Sequence, residues 1–339
     1  MARQNRRYSA SPYASMPSLF SDDELDAPPM VEEVSLDALR AAPVVKFMSF
    51  GSGSSGNCAF LTDGTTGLII DAGVDPEHVE RSLARHGYSM DCVRGILLTH
   101  DHGDHVRYVY KLAKAHNHLR VYCTPKAFNG IMRRHSIARR LKDYFQAIYK
   151  EFPFKIGGWE VTAFDVSHDG TDNAGFFLTN GPHRIAVATD LGCITPRVTY
   201  YMSQARNVII ESNYDAAMLA TGPYPEFLKA RIAADNGHLD NTVTAGFVGR
   251  LYAGSDLLQR VYLCHLSHDN NTPATAIGAV ERELRALDPG IEIVRDDTVP
   301  PTPSATPRRR LLVDALPRFE ASVLYTFRLP GSSPATSSR

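Results

Sequence analysis

Ile96-Leu97-Leu98-Thr99-His100-Asp101-His102-Gly103-Asp104-His105 is the stretch on which the reading of the chain turns. An apolar strand, 95–99, runs straight into three imidazoles and two carboxylates within six residues, and a helix is expected over 104–116. Polar groups at that density do not belong to a packed core, where each would need a partner. A solvated loop gives them no reason to cluster at a strand end. Imidazole nitrogen and carboxylate oxygen are ligands for zinc and related divalent ions. His100 and His102, two apart, can share one side of an extended turn, while Asp104 and His105 open the helix and can face a second ion. One such cluster does not complete two coordination shells. Three further ligand types stand alone after apolar strands: His168 after 161–167, Asp190 after 185–189 and His265 after 261–264. Strand ends of this kind would gather on one rim of a sandwich.

The elements around the cluster predict that sandwich. Residues 44–50, 58–61 and 67–71 read as strands, followed by a helix at 76–86, a strand at 120–123 and a helix at 125–134. A β-rich block covers 146–190, with hairpin signals at Gly157-Gly158 and Asn180-Gly181-Pro182. Helix 195–204, strand 207–211, helices 225–235 and 241–253, strand 261–264, helix 273–287 and strand 291–294 follow. Strands and then β/α units occur twice, which predicts two similar halves packed sheet on sheet: a four-layer α/β/β/α sandwich over residues 44–296. Residues 1–43 hold Ser, Pro and Ala with the acidic Asp22, Asp23, Glu24 and Asp26; residues 297–339 hold VPPTPSATPRRR and GSSPATSSR. Both are expected to be disordered extensions, except for an apolar patch at 319–329 that can dock as a strand.

Composition narrows the class. Across 339 residues, 36 Lys and Arg nearly cancel 37 Asp and Glu, so bulk charge draws the chain to neither nucleic acid nor membrane. No apolar run approaches the ~20 residues of a membrane helix, and no apolar segment of secretory type follows the polar start. Five scattered cysteines (58, 92, 123, 193 and 264) give no disulfide framework and predict a reducing, cytoplasmic compartment. Oligomeric state is left open, a homo-oligomer included.

The stretches FGSGSSGNCAFL, LIIDAG, ILLTHDHGDHV, VSHDG, ATDLG, ESNYD, GPYPEFLKARI, NGHLDN and LCHLSHDNN together cover nearly the whole predicted folded region. In them the chain resembles the metallo-β-lactamase fold superfamily and, within it, the bacterial YycJ/WalJ-type exonuclease-like group. The resemblance implies two divalent metal ions, with His100, His102 and His168 on the first, Asp104, His105 and His265 on the second, and Asp190 bridging. Zinc is expected from the weight of imidazole; manganese is the alternative. A water shared by ions ~3.5–4 Å apart becomes a nucleophile because its pKa falls from ~15.7 toward ~7. Asp104 is expected also to steer that water's proton, and Asp71, closing the LIID strand, to orient the ligand loop. Glu211 and His238 would assist the leaving oxygen, as in the nuclease branches. The implied activity is 5′–3′ exonuclease-like phosphodiester cleavage in nucleic acid, DNA ahead of RNA. Tyr214 and Asp240 depart from the group's pattern, which has His and Ser there.

Two rivals remain. A small-molecule ester, thioester or lactam hydrolase on the same metals needs neither Glu211 nor His238. A non-catalytic, metal-containing regulatory module is the other; seven nitrogen and oxygen ligands without a cysteine cluster argue against it. Gly51–Gly56 matches GxGxxG, but a strand follows it where a dinucleotide site needs a helix, so the loop is expected to line the cleft. Residues 133–142 put five cations in ten positions, either a backbone track for nucleic acid or a solvated face. His78, His86, His116, His118 and His183 read as surface, and His268 is ambiguous.

Overall fold

A computed structural model describes residues 42–295 and 308–329. Strands β1 (Val45–Gly51), β2 (Cys58–Thr62), β3 (Gly67–Ile70), β4 (Val93–Leu97), β5 (Arg120–Cys123) and β6 (Phe145–Ala147) lie in one sheet. The second holds β7 (Phe154–Ile156), β8 (Trp159–Asp165), β9 (Ala174–Asn180), β10 (His183–Ala188), β11 (Asn207–Glu211), β12 (Arg260–Cys264), β13 (Glu292–Val294) and β14 (Arg310–Ala315). A last strand, β15 (Tyr325–Phe327), crosses back to the first sheet. The orders are β15-β1-β2-β3-β4-β5-β6 and β13-β14-β12-β11-β10-β9-β8-β7.

Strands buried on both faces read as unbroken apolar runs, and each face here has its own partner. In β3, Leu68 and Ile70 point between the sheets, where Phe47, Leu97, Phe176, Val187, Ile209 and Tyr262 meet them. Ile69 points the other way, onto Val79 and Leu83 of helix α1 (Pro76–Ala84). Helices α2 (Gly103–Val106), α3 (Val109–Ala115) and α4 (Pro125–Arg134) pack on that same outer face. On the far side, Ala186, Val208, Ile210 and Val261 meet α5 (Pro196–Ser203), and then, past α6 (Ala216–Thr221) and α7 (Glu226–Ile232), α8 (Asn241–Gly254) and α9 (Pro273–Leu287). The result is the expected α/β/β/α sandwich. Side-chain caps from Asp75, Thr124, Thr195, Asp240 and Thr272 set five helix starts, four of them with proline in the first turn.

Three expectations change. The folded region does not stop at 296: β14 pairs parallel with β12 and β13, while the patch expected to dock as a strand does so as β15, antiparallel with β1. Leu311, Leu312, Val313 and Phe327 are buried there. Proline and arginine flanks hid a strand whose apolar core is only three residues long. The extensions at 1–41, 296–307 and 330–339 lie outside the described residues. The helix expected over 104–116 is broken between α2 and α3, because loop amides take its carbonyls: Asn57 N–H donates to Asp104 O at 2.8 Å and Ala72 N–H to His105 O at 2.7 Å. His183, read as surface, is buried and donates its Nε2–H to Pro43 O at 2.9 Å.

Candidate metal centre

The ends of β3, β4, β8, β10, β11 and β12 open on one rim, and each carries a polar group. Asp71 follows β3; the loop His100–His105 follows β4; His168, Asp190 and His265 follow β8, β10 and β12; Glu211 ends β11. Two of these residues need an unusual backbone to face inward: Asp71 has φ +61° and His265 has φ +52°, the left-handed region that L-residues seldom enter.

Ligand-type atoms converge in overlapping groups. His100, His102 and His168 present atoms within 4.8 Å of one another; so do Asp104, His105 and His265, and His100, His105 and Asp190 join the two sets. Asp190 has Oδ2 3.0 Å from His105 Nε2 and Oδ1 3.6 Å from His168 Nε2. It thereby spans both.

The hydrogen bonds specify which nitrogens are left over. His168 donates Nδ1–H to Gly237 O at 2.9 Å, so its Nε2 lone pair faces His102 Nδ1, 3.3 Å away. His102 Nε2 lies 3.3 Å from Asp169 Oδ1. Two imidazole nitrogens of the ligand-type group His100, His102 and His168 thus face each other at 3.3 Å, where a cation would take both. His100 Nε2 and His265 Nε2 are buried with no hydrogen-bond partner. The donor set fits divalent ions.

Charge points the same way. Burial holds the His100 ring well below its usual pKa, helped by the neighbouring His105. Burial also opposes charge on His105 and His265, but Asp190, with other carboxylates beside it, outweighs it. His105 lies well above the usual range and His265 is pushed up to about 10. Burial would raise Asp104 and Asp190, yet those imidazoles hold both carboxyls well below normal.

A ring of acids sets the imidazole angles. Asp71 Oδ2 accepts from His105 Nδ1 at 2.7 Å, and its Oδ1 accepts from Thr99 N–H at 2.9 Å. Glu211 Oε1 accepts from His265 Nδ1 at 2.7 Å and from His238 Nδ1 at 2.8 Å, while Leu191 and Leu239 amides hold Oε2. Glu211 is wholly buried. Its carboxylate touches two cleft-lining imidazoles, His265 and His238, and the His238 side chain is 22 % exposed. Burial opposes charge on His238, but Glu211 raises it above the usual imidazole pKa.

Sequence reasoning missed Asp101 and Asp169. Asp101, fully buried, accepts from Thr171 N–H at 2.9 Å and Thr171 Oγ1–H at 2.5 Å, tying the His168 loop to the His100 loop. Asp169 holds His102 and a fork of Arg231 bonds at 2.6 and 2.8 Å. Each sits beside a histidine that drew the eye, and the only available signal was that adjacency. Asp240, the departure noted above, caps α8 through Thr242 N–H. Ser54 of the Gly/Ser loop lines the cleft, and Ser52 Oγ accepts from His265 N–H at 2.8 Å. His268 is exposed, beside Phe319. The cleft itself has a volume of about 440 Å³ between Arg134 and His135 on one lip and Arg231 and His238 on the other.

A family model described as "Beta-lactamase superfamily domain" matches residues 66–265, more than half the chain and all seven candidate ligands. The chain belongs to the metallo-β-lactamase superfamily. Its relatives include the exodeoxyribonuclease YycJ of Bacillus anthracis, 31% identical over 251 residues that make up 72% of this chain and 91% of that one. The exodeoxyribonuclease WalJ of Streptococcus pneumoniae is 29% identical over 265 residues, 77% of this chain and 96% of that one. Among solved structures, the metallo-β-lactamase fold protein YhfI of Bacillus subtilis superposes with a TM-score of 0.57 at 14% identity, covering 84% of this chain and all of that one. Membership makes this metallo-β-lactamase fold protein a metal-dependent hydrolase that uses divalent ions. Among the described residues no helix is long and apolar enough to cross a membrane.

Proposed function

We propose that this protein is a dinuclear phosphodiesterase that degrades nucleic acid from an end, DNA ahead of RNA. The observation that carries this reading is His238: an imidazole at the cleft surface, backed by a buried carboxylate and set beside the ligand cluster. Its ring centroid is 5.0 Å from that of His168 and 5.2 Å from that of His265. The exodeoxyribonuclease names of the relatives support the substrate class.

His100, His102 and His168 would hold one ion and Asp104, His105 and His265 the other, with Asp190 between them. Two divalent ions there, zinc or else manganese, would supply Lewis-acid charge to a phosphoryl group and acidify a water from pKa ~15.7 toward ~7. Asp104, 18 % exposed and oriented by Asn57 Nδ2–H at 3.1 Å, would take that water's proton. Glu211 fixes His238 through Nδ1, which leaves Nε2 to protonate the departing oxygen. A departing alkoxide is strongly basic and needs that proton, whereas a nitrophenolate or a thiolate does not.

The test follows from this difference. His238→Ala should lower kcat on end-labelled DNA by roughly 10²–10⁴-fold, yet lower turnover of bis(p-nitrophenyl) phosphate far less. Equal losses on both substrates would remove His238 as the proton donor. Turnover of a thioester or lactone that survives His238→Ala, with no DNA cleavage by the wild type, would instead favour a small-ester hydrolase.

A further inference from the structure

One lip of the cleft is far more basic than the chain around it. Arg133, Arg134, Arg139, Arg140 and Lys142 fall within ten residues, and Asp143 is the first carboxylate after them, in a chain whose charges otherwise nearly cancel. This run begins at the site itself. Arg134, the last residue of α4, lines the cleft together with His135. His135 Nε2 is 2.6 Å from Asp101 O, and Arg134 Nε lies 3.4 Å from Asp101 Oδ2, so the start of the run is anchored to the loop that carries His100 and His102. The chain then makes a 3₁₀ turn, Arg139–Asp143, pinned by buried Leu141 to the core under the helices. Arg139, Arg140 and Lys142 stand exposed on it, and among the described residues Asp143 answers only Arg140, at 3.6 Å.

A solvated surface helix ordinarily mixes signs so that neighbours pair. Here one sign accumulates, and like charges crowded together repel each other until a polyanion neutralises them. The run is continuous with the cleft lip, so a polymer whose bond lies at the metal-ligand cluster would meet these cations with its adjoining phosphates. We infer that residues 133–142 form the track on which the sugar–phosphate backbone of a nucleic-acid strand lies as it enters the cleft. The inference rests on the phosphodiesterase reading above. Guanidinium and ammonium groups there meet phosphate only, so the track holds any sequence and leaves base identity unread.

The test uses the full-length, metal-loaded protein and a fluorescein-labelled phosphorothioate single strand of about 20 nucleotides. Anisotropy gives the dissociation constant at several salt concentrations between about 50 and 200 mM. The triple variant R139Q/R140Q/K142Q should flatten the dependence of log Kd on log salt by ~2, at ~0.7 per phosphate contact on a single strand. Affinity lost across that salt range should therefore shrink by about 20-fold. The charge-keeping variant R139K/R140K/K142R should keep the wild-type slope, which separates loss of charge from any local misfolding. An unchanged slope in the glutamine variant overturns the track; if the wild type still cleaves labelled DNA, the phosphodiesterase reading survives that result. A wild type that neither binds the strand nor cleaves DNA overturns both.

Discussion

Asp71 combines two constraints in one residue. Its left-handed backbone turns the chain out of β3, and its carboxylate holds Thr99 and His105 at the same time. Asparagine tolerates that backbone, so Asp71→Asn isolates the carboxylate. The variant should bind divalent metal about 10–100-fold more weakly, as measured by competition with a chromophoric chelator, because the acceptor that fixes the His105 ring loses its charge. Its unfolding midpoint should move much less. At this scale the sequence was readable wherever a residue stood alone after an apolar strand, as Asp71, His168, Asp190 and His265 do. It was not readable for Asp101 and Asp169, whose partners Thr171 and Arg231 lie some 60 to 70 positions away. Glu211 was recognisable as a polar strand end, but its full burial and its bonds to both His238 and His265 were not.

At the scale of elements, the loop Ala72–Val74 and the short helix α2 interlock. Ala72 N–H and Asn57 N–H take the carbonyls of His105 and Asp104, and Tyr108 N–H reaches Ala72 O at 2.9 Å. Gly73 lies so close that a Cβ on it would sit 1.5 Å from Asp104 O and 2.8 Å from Asn57 N. No rotamer relieves a clash between backbones. Gly73→Ala should therefore cost ~3 kcal/mol or more in a denaturant titration, with loss of metal binding in whatever protein still folds. Periodicity alone extended the helix through 104–116, because the competing donors come from loops 30 to 50 residues earlier. Most other helices matched their signals, since cap and proline lie within the element itself, as at Thr124-Pro125 and Thr272-Pro273.

Across the whole molecule, the candidate site is divided between the two sheets. The first contributes Asp71 and the 100–105 loop; the second contributes His168, Asp190, Glu211, His238 and His265. The apolar layer between the sheets is therefore what keeps the imidazoles within reach of one another. The strands after residue 308 finish that layer: Phe327 stacks on Phe47, with ring centroids 5.8 Å apart, and Leu312 packs into the same layer. A chain ended after Pro307 would leave β1 and β12 as bare edges of a half-closed sandwich. It should aggregate or remain unfolded, as seen by size-exclusion chromatography and circular dichroism, and bind no metal. Fold class was plain from element order and the apolar patch at 319–329 announced β15, yet β14 was not legible: its apolar core is short, and its partner β12 lies far back in the sequence.

The return of β15 to β1 also bears on the order of events in time. Val45 pairs with Phe327, so the first described strand waits for the last, and the loop closed by that pairing is nearly the whole domain. Contacts of such long separation form slowly and late. No early subdomain can gather both halves of the imidazole cluster, because neither sheet alone holds them. Ion uptake thus belongs to the final docking step of folding, and the moment at which a refolding chain begins to sequester a divalent ion would serve as a clock for closure of the sandwich.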